Sequence, residues 1–325
     1  MIIYRKYNHN NDYESYKVFC ENNFGKNCYQ SKIEHIEWLE SNPSHFINLA
    51  VNNNEILGCF HGFKAPVLLD NNVNIFYSLH DLMVDKEKGS QLGLKLMQEG
   101  ILQDIPVILS GAIGRISRAY KRLGSIQFKS HWYRKFIITL NPFKFFFLNN
   151  NKLKHIQSSI NYNLINNKEE GISHISKSLI DLYKYNNDFS EKYFKWRFFQ
   201  KDSPLTFFMS DDRTENMIIF SLGLRRVIPF LRIISVRKKD DDVLISMLRS
   251  VETFASKAGI PVILYSITED SPPPKELNYN AYKEVPNSYI YSKKIKLPNN
   301  ISINGFSTDL GFDSIFYRGI NEKIK

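Results

Sequence analysis

Val84-Asp-Lys-Glu-Lys88-Gly89-Ser90-Gln91-Leu92-Gly93-Leu94 ends an apolar segment, passes through a glycine-containing turn and opens an amphipathic helix. Backbone N–H groups at such a turn and helix start have no intrahelical partner, and the helix dipole adds positive potential there. Together they make a place for an anion. Gly89 and Gly93 let the backbone approach a phosphate with no Cβ in the way, and Lys88 adds a full positive charge.

The flanks of this run alternate between strand and helix patterns. Ile75–Val84 reads as a strand and Gln91–Leu102 as a helix. Pro106–Ser110 is a second strand, Arg115–Leu123 a short helix and Ile126–Thr139 a further strand. That order gives a mixed sheet with helices on its faces, an α/β (α+β) fold. From Asn149 the apolar content falls and Asn and Lys dominate, which marks 149–170 as a linker between domains at 1–148 and 171–325.

The two halves echo each other. Trp38, Pro43, the strand Phe46–Val51, a polar turn and Glu55–Gly58 are matched by Trp196, Pro204, Leu205–Met209, a polar turn and Met217–Gly223. The second half continues with a strand Phe230–Val236, a helix Asp242–Lys257 and a strand Pro261–Ile267. The echo points to a duplicated domain. The second copy has no glycine turn, and Asp240, Asp241 and Asp242 at its helix start would repel a pyrophosphate. It is read as a degenerate copy, and one anionic cofactor is expected, in the first half.

The run at 84–94 resembles the pyrophosphate loop of the GNAT acyltransferases, whose pattern is Arg/Gln-x-x-Gly-x-Gly/Ala. Lys88, Gly89, Leu92 and Gly93 fall on its register, with Gln91 where the family has Gly and Lys88 where it has Arg. Tyr120-Lys-Arg-Leu-Gly124 resembles the Tyr-x-x-Leu-Gly of the same family. The resemblance implies acyl-CoA as donor and no metal. Leu82, Met83 and Val84 would pair with the pantetheine arm like an added strand. Lys88, Gly89, Ser90, Gln91, Leu92, Gly93 and Leu94 would hold the pyrophosphate, with Ser117 and Tyr120 completing the cofactor site. The Leu82 N–H would meet the oxyanion. Tyr120 would protonate the leaving thiolate, an exchange open to groups with reference pKa values of about 10 and about 8.5. Some members carry a general base at the register of His80, with His61 as the fallback. Strand alternation sends Asp81 to the opposite face.

An intact first copy followed by a degenerate second resembles the bacterial nucleotide-sugar N-acyltransferases of O-antigen or capsule synthesis, in particular those acting on a dTDP-linked 3-amino-3,6-dideoxyhexose. The acceptor is then the amine of a nucleotide-linked amino sugar, and the acyl group acetyl or 3-hydroxybutanoyl. Two other readings stand beside it: an aminoacyl-tRNA-dependent transferase of the peptidoglycan-bridge type, and a binding module that kept the fold without the chemistry. A largely kept loop and the lack of a helical arm favour the first reading, with no nucleic acid as partner.

The net charge of +10 suits partners that carry phosphates. The three cysteines, Cys20, Cys28 and Cys59, match no disulfide or zinc framework and read as reduced thiols. The start shows no signal-peptide pattern, and the apolar run Phe136–Leu148 is too short to span a bilayer. The expected location is the cytoplasm.

Overall fold

The computed structural model describes residues 2–26, 28–69, 72–85, 87, 92–101, 106–112, 115–128, 130–166, 192–193, 195–199, 205–211, 216–225, 228–238, 240–268, 272–281 and 287–292. Alternating β-type segments pair into two mixed seven-stranded sheets. The first has the order β1 (Ile3–Lys6), β2 (Phe46–Asn52), β3 (Glu55–Leu69), β4 (Asn72–Val84), β5 (Val107–Ala112), β14 (Asn287–Tyr291) and β6 (Ile126–Phe128). The second has the order β8 (Asn163–Asn166), β9 (Thr206–Ser210), β10 (Met217–Arg225), β11 (Ile228–Arg237), β12 (Val262–Thr268), β7 (Ser130–Phe136) and β13 (Asn280–Ala281). The fourth and fifth strands of each sheet, β4 with β5 and β11 with β12, pair parallel.

The described residues fall into two compact units, one from 2–128 and 287–292, the other from 130–281. The division lies after Phe128, upstream of the 149–170 segment expected as a linker. The reason is local. The single strand read over 126–139 is two strands, and each joins a different sheet. The Asn-rich start of the expected linker is a capped helix, α5 (Asn150–Gln157), with the Asn149 side chain accepting from the Lys152 N–H. In both sheets the sixth position is filled by a strand from the other half of the chain, β14 in the first and β7 in the second.

In the first unit, side-chain alternation along the strands serves two cores. Leu49 and Cys59 face α1 (His9–Phe24) and α2 (Ile33–Glu40), packing with Tyr16, Phe19 and Ile36. Their neighbours Ala50 and Phe60 face the other way, with Leu96 and Met97 of α3 (Leu92–Ile101) and Tyr120 of α4 (Arg115–Arg122). Trp38 is 1% exposed, so its place is in packing and not against a ligand. In the second unit α6 (Asp241–Ala258) sets Leu244, Met247, Leu248, Val251, Phe254, Ala255 and Ala258 on one face, the spacing of a core-facing helix. Phe254 meets the stacked pair Phe207 and Phe220, whose centroids are 5.2 Å apart. Among the described residues no helix is long and apolar enough to cross a membrane.

Two positions carry measurable weight. Gly259 ends α6 in the left-handed region (φ 76), and a Cβ there would lie 2.7 Å from the Asn141 carbonyl oxygen. Gly259→Ala is expected to cost about 2 kcal/mol in denaturant unfolding, from backbone strain plus the clash. Arg5 grips the buried Asp12 carboxylate with two 2.6 Å hydrogen bonds, and the Asn8 N–H adds a third at 2.7 Å. The Arg5 hydrogen bond holds the Asp12 carboxyl below its ordinary range, against the opposing effect of burial. The unfolded chain therefore binds more protons in that range. The stabilisation is complete above a pH of about 4 and is lost as pH falls through the folded value. Asp12→Asn should flatten the acid limb of a Tm-against-pH curve, and an unaltered limb would remove Asp12 from the acid response.

Candidate active site

The geometry of the site begins with an extra residue in β4. His61 pairs with His80 and Cys59 with Met83, so Phe60 alone faces both Asp81 and Leu82. Asp81 takes a left-handed backbone (φ 48) to fit the bulge. Asp tolerates that region better than most residues, yet the conformation is still strained, and such strain concentrates at functional sites. Past the bulge β4 leaves β5. Their ladder runs from Tyr77–Val107 to Leu79–Leu109, and no pair beyond it is recorded among the described residues. The divergence opens a small cleft lined by Phe60, Leu79, His80, Asp81, Leu82, Met97, Leu109 and Tyr120.

Tyr120, His80 and Leu82, singled out from sequence, thus line one cleft. Of the residues read as cofactor-binding, Leu92, Gly93 and Leu94 lie in the first turn of α3. A Cβ on Gly93 would stand 3.5 Å from Val84 Cγ1, which places this helix start against the end of β4. Met83 faces the α1/α2 core, leaving only its backbone to the β4 edge. Ser117, one turn before Tyr120, has its hydroxyl engaged by the Tyr289 hydroxyl of β14. The Tyr289 ring also meets Tyr120 edge to face at 5.5 Å. Lys88, Gly89, Ser90 and Gln91 lie outside the described residues, as does the remainder of the linker, 167–170.

Simple alternation fails at the bulge. Asp81 was expected on the face opposite His80. With the register shifted, its Oδ2 lies 3.2 Å from His80 Nδ1, and both residues line the cleft. Gln30 Nε2 approaches the other carboxylate oxygen at 3.5 Å. Burial would raise the Asp81 carboxyl, but the His80 hydrogen bond and the neighbouring imidazoles bring it below the ordinary range. His61 is fully buried, and its Nε2 lies 2.7 Å from the Tyr16 hydroxyl. Burial first, and His80 second, push its pKa down to about 3, so it is a neutral imidazole. Cys20 and Cys59 are buried thiols whose pKa values burial raises, which suits the reading of unreactive cysteines.

Among the described residues the second unit shows no counterpart of this site. Its fourth strand also carries a bulge, with Ile219 opposite Ser235 and Phe220 opposite Ile233. The helix that follows is closed to anions, because Asp240 Oδ1 accepts from the Asp242 and Val243 N–H groups and two more carboxylates stand in the first turn. Trp196 and Arg197 are buried. Two residues that no sequence motif marks also join the site: Tyr289, which lies 172 residues from Ser117, and His45, which approaches His61 and His80. Asp81 was visible, but its direction was not.

No family model matches the sequence, and no curated protein matches it. The fold is that of the GNAT-type N-acyltransferases. A conserved protein from Enterococcus faecalis V583 described as a probable N-acyltransferase shares it at 8% identity and a TM-score of 0.57, over 89% of this chain and 72% of that one. Saccharomyces cerevisiae N-myristoyltransferase with bound myristoyl-CoA matches at 10% identity and a TM-score of 0.59, over 94% of this chain and 83% of that one. A GCN5-related N-acetyltransferase from Anabaena variabilis matches at 12% identity and a TM-score of 0.57, over 89% and 72% of the two chains.

If the bulge depends on the left-handed Asp81, the side chain there decides its cost. Asp81→Asn, which tolerates the conformation, should be more stable than Asp81→Val by about 2 kcal/mol in urea unfolding. Equal stabilities would mean that the strand absorbs its extra residue elsewhere.

Proposed function

We propose that the chain is an acyl-CoA-dependent N-acyltransferase working in the β4/β5 cleft of its first unit. The observation that carries this reading is the divergence of β4 from β5, which sets Leu82 and Tyr120 on the walls of one cleft in a GNAT-type fold. The β4 edge beyond Leu79 suits the pantetheine arm, with Leu82, Met83 and Val84 supplying backbone groups. The pyrophosphate falls to the helix start around Gly93, together with Lys88, Gly89, Ser90, Gln91, Leu92 and Leu94.

The reaction is direct transfer. The acceptor amine attacks the thioester carbonyl, forming the C–N bond and a tetrahedral oxyanion. The Leu82 N–H donates to that oxyanion, a fixed dipole where negative charge develops. His80, its Nδ1 held by Asp81, takes the proton that the amine loses. The oxyanion collapses, the C–S bond breaks, and Tyr120 returns a proton to the thiolate. Ser117 and Tyr289 fix the helix and ring against which Tyr120 packs. No covalent enzyme intermediate forms, so the buried cysteines have no part.

The acceptor we infer is the amine of a nucleotide-linked amino sugar of the cytoplasm, acylated with an acetyl or 3-hydroxybutanoyl group for a surface polysaccharide. Its support is the net charge of +10 and a second unit whose helix start is closed by its own carboxylates. The second unit then lends structure.

Tyr120→Phe should lower kcat about 100-fold or more while leaving the Kd for CoA within about twofold. Unchanged turnover would remove Tyr120 from the proton path. Gly93→Glu has room for its Cβ beside Val84, so its effect is one of charge. It should weaken acyl-CoA binding by about tenfold or more in calorimetry, without a matching fall in Tm. Wild-type protein that binds no acyl-CoA would sink the acyltransferase reading and leave a binding module with the same fold.

A further inference from the structure

Three imidazoles converge on the α1/α2 face of the first sheet. His61 and His80 are direct partners across β3 and β4, and His45 stands just before β2. Ring centroids are 5.2 Å apart for His61 and His80, 5.5 Å for His45 and His61, and 6.1 Å for His45 and His80. One ring nitrogen from each lies within 4.8 Å of the others, and among the described residues these three form the metal-ligating group. We infer that His45, His61 and His80 form a binding site for a divalent transition-metal ion of the zinc type.

The chemistry of the donor set argues for this. Zinc bonds of about 2.0–2.1 Å place tetrahedral nitrogens about 3.4 Å apart, so the ligand atoms need to draw together by at most about 1.4 Å. Three imidazoles with a fourth position open are a zinc-type ligand set, and an all-imidazole set suits zinc, copper or nickel over magnesium or calcium. Two of the three rings already have, on one nitrogen, the kind of partner that orients a metal ligand. His61 Nε2 is held by the Tyr16 hydroxyl and His80 Nδ1 by the Asp81 carboxylate. His61 Nδ1 and His45 Nε2 are buried and have no hydrogen-bond partner among the described residues. Two such buried polar atoms, on rings 5.5 Å apart, cost stability unless something engages their lone pairs. A cation does so. Asp81, directly beside the cluster, supplies negative charge against the ion.

Sequence spacing conceals the site, because 45, 61 and 80 follow no metal motif. They come together only when β2, β3 and β4 pair. The site does not depend on acyl transfer, but it shares His80 with that reaction. An ion bound by His80 occupies the lone pair with which that residue would accept a proton, so the loaded protein should be the slower transferase.

The test is metal binding by the whole protein, which needs no substrate. Chelator-stripped protein would be titrated with ZnCl2 by calorimetry and with CoCl2 by absorption spectroscopy. The expected result is one ion per chain and, for cobalt, the intense d–d bands of a tetrahedral nitrogen site. His45→Ala and His61→Ala should each abolish that binding. Asp81→Asn, which keeps the left-handed backbone and the fold, should weaken zinc by about 10–100-fold, and Tyr16→Phe should act in the same direction. Wild-type protein that takes up neither ion overturns the inference, as does stoichiometric binding that survives all four substitutions. Because acyl-CoA titration of stripped protein is a separate measurement, failure of the metal site and failure of the acyl-CoA site are told apart.

Discussion

The candidate site depends on one extra residue in β4. A regular β3/β4 ladder would send His80 and Asp81 to opposite faces and keep β4 beside β5 to its end. The bulge at Asp81 and Leu82 shifts the register by one, turns the Asp81 carboxylate to His80, and lets the two parallel strands part. The cleft is therefore a consequence of backbone geometry, and the residues that line it are fixed by strands that remain paired on their other side. The strain is confined to one residue, on a strand held by the longest ladder of the first sheet.

Both faces of that sheet bear on the site, with different chemistry. On the side of α3 and α4 the lining is Phe60, Leu79, Met97, Leu109 and Tyr120, an apolar wall with one phenol. On the side of α1 and α2 lie the imidazoles of His45, His61 and His80 with Tyr16 and Asp81. A thioester with its hydrocarbon neighbours suits the first environment, and a proton or a cation suits the second. His80 and Asp81, which also line the cleft, connect the two.

What the sequence disclosed follows from the range over which each signal acts. Strand alternation and helix period are local, and the strands of 46–51, 75–84 and 106–110 and the helix after Gln91 stand close to where they were read. The short helix that carries Tyr120 was legible because its period is local. The acidic start of α6 likewise declared its closed end, since a cap is made within three residues. Three things were hidden because they depend on pairing between distant segments. The direction of Asp81 needs the register of β3. The meeting of His45 with His80 needs three strands. The strand β14, whose Tyr289 binds Ser117, comes from more than 150 residues downstream. The break between β6 and β7 was missed because one uninterrupted β-type segment supplies strands to two sheets.

That last arrangement has a consequence for how the chain is made. β14 lies between β5 and β6, so the first sheet has a gap until residues 287–291 arrive. A polypeptide emerging from the ribosome presents β1 to β5 long before then, with the open edge of β5 and the Tyr120 core uncovered. Synthesis at about 5–20 residues per second leaves that edge waiting for many seconds. The first half encoded is thus among the last parts completed, and its exposed edge is the place where a holdase chaperone has most to protect.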